Sequence, residues 1–362
     1  MHGKLTNENF NKILTELQQE YLLYAPKKFK DQGRFSDTDL IRYGEINAVE
    51  EIAWQEKSAF SPKEIVFPIT QTLFHFTCDE FCESKLEDPK KVLVFLRPCD
   101  INGLKRLDTI YLENGIEPDI YYKRLRERVK FVMIECSESF DNCFCVSMGA
   151  NKTADYSIAV RFASDSVLLE IKDEQLESFF EAKLIDTEFK PEFVTENSQQ
   201  VRVPNVDEMP AEMYDHEMWD EYSSRCIGCG RCNTTCVTCS CFDTYDLFSD
   251  DNSNIGERRR VWSCCHVDGF TDIAGGHSFR HSNGARMRFK AFHKVYDFKK
   301  RFGKEQMCVG CGRCDDNCPE YISFANCINK VTDNLQKIIG SHPKTDTAST
   351  FAKASEGRTE TE

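Results

Sequence analysis

RCIGCGRCNTTCVTCSCF (Arg225–Phe242) and MCVGCGRCDDNCPEY (Met307–Tyr321) are one phrase written twice. Aligned, both read C-[IV]-G-C-G-R-C-[ND]-x-x-C, so each carries four cysteines at the spacing C-x2-C-x2-C-x3-C. Two questions follow: why the phrase is doubled, and what fills the 64 residues between Phe242 and Met307.

Three cysteines separated by pairs of residues suit a loop that curls around one corner of an iron–sulfur cubane. The fourth thiol of such a run points away and serves a partner cluster. Two copies therefore complete each other. The spacing predicts one [4Fe-4S] cluster on Cys226, Cys229, Cys232 and Cys318, and a second on Cys308, Cys311, Cys314 and Cys236. The glycines at 228, 230, 310 and 312 allow positive φ and bring backbone N–H groups close to sulfur. Paired tetrahedral zinc sites are the competing reading, but zinc knuckles use two cysteines per loop and leave the third unexplained. The first phrase departs from the second at Val237, where the second has Pro319, and it adds Cys239 and Cys241, either of which is an alternative to Cys236.

Nineteen cysteines in a 362-residue chain leave eleven more. A short secreted protein of this composition would be a disulfide scaffold; a long chain without an export signal is better read as metal-binding, and as oxygen-sensitive. Cys99 follows one apolar run, and Cys136, Cys143 and Cys145 follow the next, so these four are candidates for a third site at one sheet edge. Ordinary buried thiols are the alternative. Cys239, Cys241, Cys264 and Cys265 form a looser pool, while Cys78, Cys82 and Cys327 read as structural. His266, His277, His281 and His293 read as structural or hydrogen-bonding, because eight cysteines already suffice.

The net charge is −14, which argues against nucleic acid as a partner. Yet residues 256–304 hold twelve Lys or Arg against four Asp or Glu. GERRR (256–260) reads either as a set of cations offsetting anionic clusters or as a surface that steers an acidic partner. With hydrophobic residues at 40% and no apolar run longer than Val92–Leu96, the expectation is a globular chain with no membrane span and a cytoplasmic address.

KVLVFL (91–96) and KFVMIE (130–135) read as buried strands around a helical segment, YSIAVRF and SVLLEIK as a hairpin, and residues 1–25 as a helix capped by Thr6. A helix is also expected from about Glu174 to Ala182. The predicted fold class is mixed α+β. An N-terminal α/β domain (1–205) precedes an α-helical ferredoxin-like di-cluster domain (206–335) with a long insertion between the cysteine motifs, and a disordered tail spans 336–362. No G-x-G-x-x-G follows a strand and no P-loop is present, so no nucleotide or flavin site is evident.

The segment GERRRVWSCCHVDGFTDIAGGHSFRHSNGARMRFKAFHKVYDFKKRFG, with CPEYISFANCINK after it, resembles the iron–sulfur electron-transfer subunit of anaerobic sulfite reductase. The likeness is close from Arg225 to Lys330 and looser back to Leu96 (RPCD, DIYYKRLRE, CFCVSMG). Beta subunits of cytoplasmic nickel–iron sulfhydrogenases are similar in the same places; AGGH and CPEYISF favour the reductase. The resemblance implies a non-catalytic, electron-carrying member of a three-subunit, strictly anaerobic oxidoreductase complex. A flavin subunit oxidising NADH and a sirohaem subunit reducing sulfite to sulfide would be its partners. It places the family's two four-cysteine sets on the eight cysteines named above, and the family's further cysteine after the tryptophan on Cys265. The alternative is the beta subunit of a nickel–iron hydrogenase.

Overall fold

The computed structural model describes residues 1–85, 88–252 and 254–341. Its framework is an eight-stranded mixed sheet of order β10-β1-β9-β8-β7-β6-β2-β3. The central strands are β2 (Tyr21–Phe29), β6 (Lys91–Leu96), β7 (Val129–Ile134) and β8 (Ile158–Phe162), which run parallel. Antiparallel β1 (His2–Thr6), β9 (Ser166–Ile171) and β10 (Ile185–Asp186) extend one side, and β3 (Leu40–Glu45) closes the other.

The unbroken apolar runs of β6 and β7 follow from burial on both faces. Leu93, Phe95, Val132 and Ile134 join one core beneath α1 (Asn7–Leu17) and α4 (Glu174–Phe180). Val94, Leu96, Phe131 and Met133 enter a second core, shared with α2 (Pro98–Leu112) and with Val237, Val309 and Cys311 of the cysteine phrases. Fully burying such a side chain is worth roughly 1.5–3 kcal/mol, so both cores hold the sheet from either side.

Thr6 does cap the first helix, accepting from the Asn9 amide at 3.2 Å. The helix, however, stops at Leu17, and Tyr21 and Leu22 lie in β2. Tyr21 fits the helical spacing because Tyr21, Leu23 and Ala25 alternate into the same core that Phe10, Ile13, Leu14 and Leu17 enter from α1, while Leu22 faces the opposite core. The expected helix over 174–182 is shorter, ending at Phe180.

The segment between the cysteine phrases does not stand apart. Its strands β11 (Phe242–Phe248) and β12 (Gly256–Trp262) pair with β4 (Thr70–Phe76) and β5 (Phe81–Glu83) of the N-terminal half in a four-stranded sheet. A short hairpin, β13 (Asp272–Ile273) with β14 (His277–Ser278), follows. α3 (Ile120–Arg126) supplies the partner for Arg260: its cap residue Asp119 accepts from Arg260 Nη1 at 2.7 Å.

Beyond the N-terminal half come α5 (Ala211–Tyr214), α6 (Asp220–Arg225), α7 (Arg231–Thr234), α8 (Asn283–Phe292) and α9 (Phe298–Phe302), then α10 (Arg313–Asp316) and α11 (Phe324–Ser341). A π-helical turn, His293–Asp297, joins α8 to α9. The expected tail at 336 gives way to helix through Ser341; the rest of that tail lies outside the described residues.

Candidate iron–sulfur centres

The two cysteine phrases adopt the same local conformation. In each, both glycines are left-handed: φ is 66° and 72° at Gly228 and Gly230, and 67° and 73° at Gly310 and Gly312. The first glycine amide turns back on the first thiol, with Gly228 N and Gly310 N each 3.4 Å from Cys226 and Cys308 Sγ. The second glycine starts a one-turn helix, α7 or α10, and these two turns pack together.

Cys226, Cys229, Cys232 and Cys318 line one cavity. Cys236 comes instead beside Cys308 and Cys311. Burial is the main cause that pushes Cys308 up to about 12 and Cys311 up to about 11, and the neighbouring Cys236 thiol acts on both in the same direction. Cys314 lies at the junction. It lines the first cavity, while its thiol, pushed up mainly by burial, also senses Cys308 and Cys311. Each phrase thus sends its fourth cysteine toward the other.

At Val237, where the second phrase has proline, α2 packs directly on the side chain. Val237 is fully buried, and a Cβ on Gly103 would come within 2.3 Å of its Cγ1. The pool beyond it forms two thiol pairs. Cys239 hydrogen-bonds Cys236, lowering the pKa of Cys236 and raising its own; Cys265 does the same to Cys241, holding Cys241 down to about 7. Cys264 packs on Gly230, whose Cβ position is 2.8 Å from its Sγ. Cys327 is buried, whereas Cys78 and Cys82 are exposed near β5, outside the core that a structural role implies.

GERRR lies in β12, and its arginines are engaged elsewhere. Arg258 pairs with Asp246, Arg259 with Glu257 and Arg260 with Asp119. The cations that do face the thiols are buried lysines, which the charge count alone does not single out. Lys294, on the π-turn, donates to Thr238 Oγ1 at 2.7 Å, and Lys63 donates to the Cys239 carbonyl at 3.0 Å over the Trp262 ring. Lys290 lies between the phrases. Burial opposes its charge, but the thiols of Cys232 and Cys314 outweigh that and raise its pKa. KAFHK places Lys290 and Lys294 one helical turn apart, the one sequence signal that pairs them. Of the histidines, His266 lines the first cavity with Nδ1 4.0 Å from Cys226 Sγ and no partner at Nε2. Burial first, then Lys290 and Arg286, lower its pKa to about 3, so it is neutral.

The four remaining candidates also gather. Cys99, Cys136, Cys143 and Cys145 line a second cavity together with Cys311. Among the described residues no group of three or more His, Cys, Asp or Glu converges tightly enough to hold a single ion. The thiols surround volumes instead, an arrangement suited to a polynuclear centre. Donor chemistry, glycine-cradled loops and buried cations all fit iron–sulfur clusters.

Residues 225–322 match the family described as 4Fe-4S dicluster domain. The chain is also 28% identical over 346 residues to sulfhydrogenase 2 subunit beta of Pyrococcus furiosus, covering 92% of this chain and 98% of that protein. The similarity favours the hydrogenase alternative over the sulfite-reductase reading. The relative is named as a beta subunit, and no helix among the described residues is long and apolar enough to cross a membrane.

Proposed function

We propose that this chain is the iron–sulfur electron-transfer subunit of a sulfhydrogenase-type complex and performs no substrate chemistry of its own. The observation that carries this reading is the reciprocal placement of Cys318 and Cys236 between two matching loops. Its support is similarity along nearly the whole of a sulfhydrogenase beta subunit.

In this reading Cys226, Cys229, Cys232 and Cys318 hold one [4Fe-4S] cluster, and Cys308, Cys311, Cys314 and Cys236 hold the other. When bound, each cluster supplies a site that takes up and releases one electron. The chain's own residues set the conditions. Glycine amides turn toward sulfur, Lys290 and Lys294 offset negative charge, and the shared core fixes the spacing of the two sites. Cys229 is exposed, with Ile227 and Tyr321 also exposed beside this first site, which makes it the outward-facing one. Partners would be a flavin subunit that oxidises a nicotinamide and a nickel–iron catalytic subunit.

The motif wording AGGH and CPEYISF favours a second reading, in which the catalytic partner carries sirohaem. Anaerobic affinity purification of the tagged chain from its own cells decides between them. Co-purifying nickel with hydrogen uptake supports the first, and sirohaem absorbance with sulfite reduction supports the second. A colourless chain containing zinc would overturn both.

A further inference from the structure

The third group of thiols lies outside the dicluster match and outside the function just proposed. Cys99 sits at the start of α2, directly after β6; Cys136 follows β7; Cys143 and Cys145 come from the loop beyond. Chain segments leaving the carboxyl ends of neighbouring parallel strands meet at one edge, the usual place for a ligand. Here they deliver four free thiols to one cavity. We propose that Cys99, Cys136, Cys143 and Cys145 hold a third [4Fe-4S] cluster.

Convergence is the first argument. Four free thiols from three separate stretches of chain line this cavity, as Cys226, Cys229, Cys232 and Cys318 line the first, and in each a further thiol of the second phrase, Cys311 or Cys314, stands at the wall.

The wall chemistry is the second argument. Buried cysteines that act as small hydrophobes pack against apolar neighbours, but this cavity is faced by Lys57, Arg97, Asn197 and Arg313. Lys57 Nζ lies 3.8 Å from Cys143 Sγ, and Asn197 Nδ2 lies 3.8 Å from Cys145 Sγ. Lys57 also pairs with Asp316 at 2.6 Å and Arg313 with Asp100, so the donors that reach sulfur are Lys57 and Asn197, the kind of polar wall that an anionic thiolate-bound cluster needs. Two glutamates also reach the wall. Glu56 is already paired with Lys28 at 3.1 Å, and Glu138 is exposed at the rim.

Placement is the third. The loop bearing Cys143 and Cys145 is fastened to the second cysteine phrase: Phe144 N donates to the Gly310 carbonyl at 2.8 Å, and Cys143 Sγ to the Cys311 carbonyl at 3.5 Å. Cys311 itself lines the cavity. On the opposite side, Cys136, Arg97 and Phe140 also border an open cleft with Trp54 and Arg161. A centre here stands between that cleft and the second cysteine phrase.

The test is iron and acid-labile sulfide analysis of the full chain, purified or reconstituted anaerobically, with Mössbauer and EPR spectra. The expected result is about twelve irons per chain. The Cys99→Ser/Cys145→Ser variant should lose about a third of the iron, with the spectra of the other two centres retained. A wild-type count of about eight irons, still sensitive to Cys236→Ser and Cys318→Ser, overturns the third site and leaves the two-cluster reading intact. A chain with no iron overturns both. The wild-type count needs no variant to fold, and Cys136→Ser, at the half-exposed rim, gives an independent reading. An unchanged iron content and spectrum in that variant and in the double variant also overturns the assignment.

Discussion

Asp100 and Arg313 form a buried ion pair, with Arg313 Nη2 2.8 Å from Asp100 Oδ2 and neither side chain more than 3% exposed. It joins RPCD, at the carboxyl edge of the large sheet, to the arginine of the second C-G-R-C. Tyr43 donates to the same carboxylate at 3.1 Å, and Arg313 Nε donates to the Ser58 carbonyl at 2.9 Å. Removing one partner leaves an uncompensated charge in the interior. Asp100→Ala is expected to cost about 3–5 kcal/mol in denaturant unfolding, whereas Asp100→Leu/Arg313→Met should be markedly milder than either single change. Equal losses for single and double variants would show that packing, not charge, holds this joint.

The glycines of the two phrases look equivalent in sequence, yet their surroundings differ. A Cβ on Gly312 would stand 2.3 Å from the Asn142 carbonyl oxygen, and one on Gly310 2.5 Å from that of Phe144. At Gly228 the nearest contact is 3.2 Å, to the Asn283 side-chain oxygen. Gly228→Ala meets chiefly the cost of left-handed backbone, roughly 1–2 kcal/mol. Gly310→Ala and Gly312→Ala must in addition displace the 142–145 loop. They are expected to lose the EPR signal of the second centre while the first persists. Equal sensitivity at 228 and 312 would contradict this asymmetry.

Spacing brings most of the site into view. The doubled phrase places eight thiols in two matching loops, and the runs after KVLVFL and KFVMIE place four more at one edge. Periodicity in one dimension does not report partners distant in the chain, and the main differences between expectation and structure arise there. Tyr21 reads as helix because its face of β2 feeds the same core as α1, while Leu22 packs on the opposite core. GERRR reads as a candidate charge offset, but each arginine meets a carboxylate supplied by Asp119, Asp246 or Glu257. Lys63, far away in sequence, becomes a neighbour of Cys239 only through folding. The resemblance ranks the sulfite-reductase family first because AGGH and CPEYISF are local wording. Similarity over nearly the full chain weighs the other way.

Val237 and Gly103 are a matched pair. Alanine at 103 would press its methyl to within 2.3 Å of Val237 Cγ1 and 2.7 Å of Cγ2, in a fully buried contact. Overpacking of this kind costs typically about 1–3 kcal/mol. Gly103→Ala should lower the melting temperature and Gly103→Ala/Val237→Ala should recover most of the loss. No recovery would mean that the glycine is needed for another reason.

Lys290 is a buried cation that senses a thiol from each phrase, Cys232 and Cys314. A fixed positive charge stabilises the more negative, reduced state of a centre and so raises its potential. Lys294, by contrast, senses Cys236, Cys239 and Cys308 on the second side. Lys290→Met preserves much of the apolar stem against the Phe324 ring, 4.6 Å from the ammonium, while deleting the charge. Two unit charges several ångströms apart at an effective dielectric near 20 interact by about 2–3 kcal/mol, so a drop on the order of 90–130 mV is expected at both centres. Lys294→Met should move the second centre more than the first. Potentiometric titration followed by EPR reads the two midpoints separately. A Lys290→Met protein that shifts only one of them, or shifts either upward, would remove this lysine from the role of shared counter-charge.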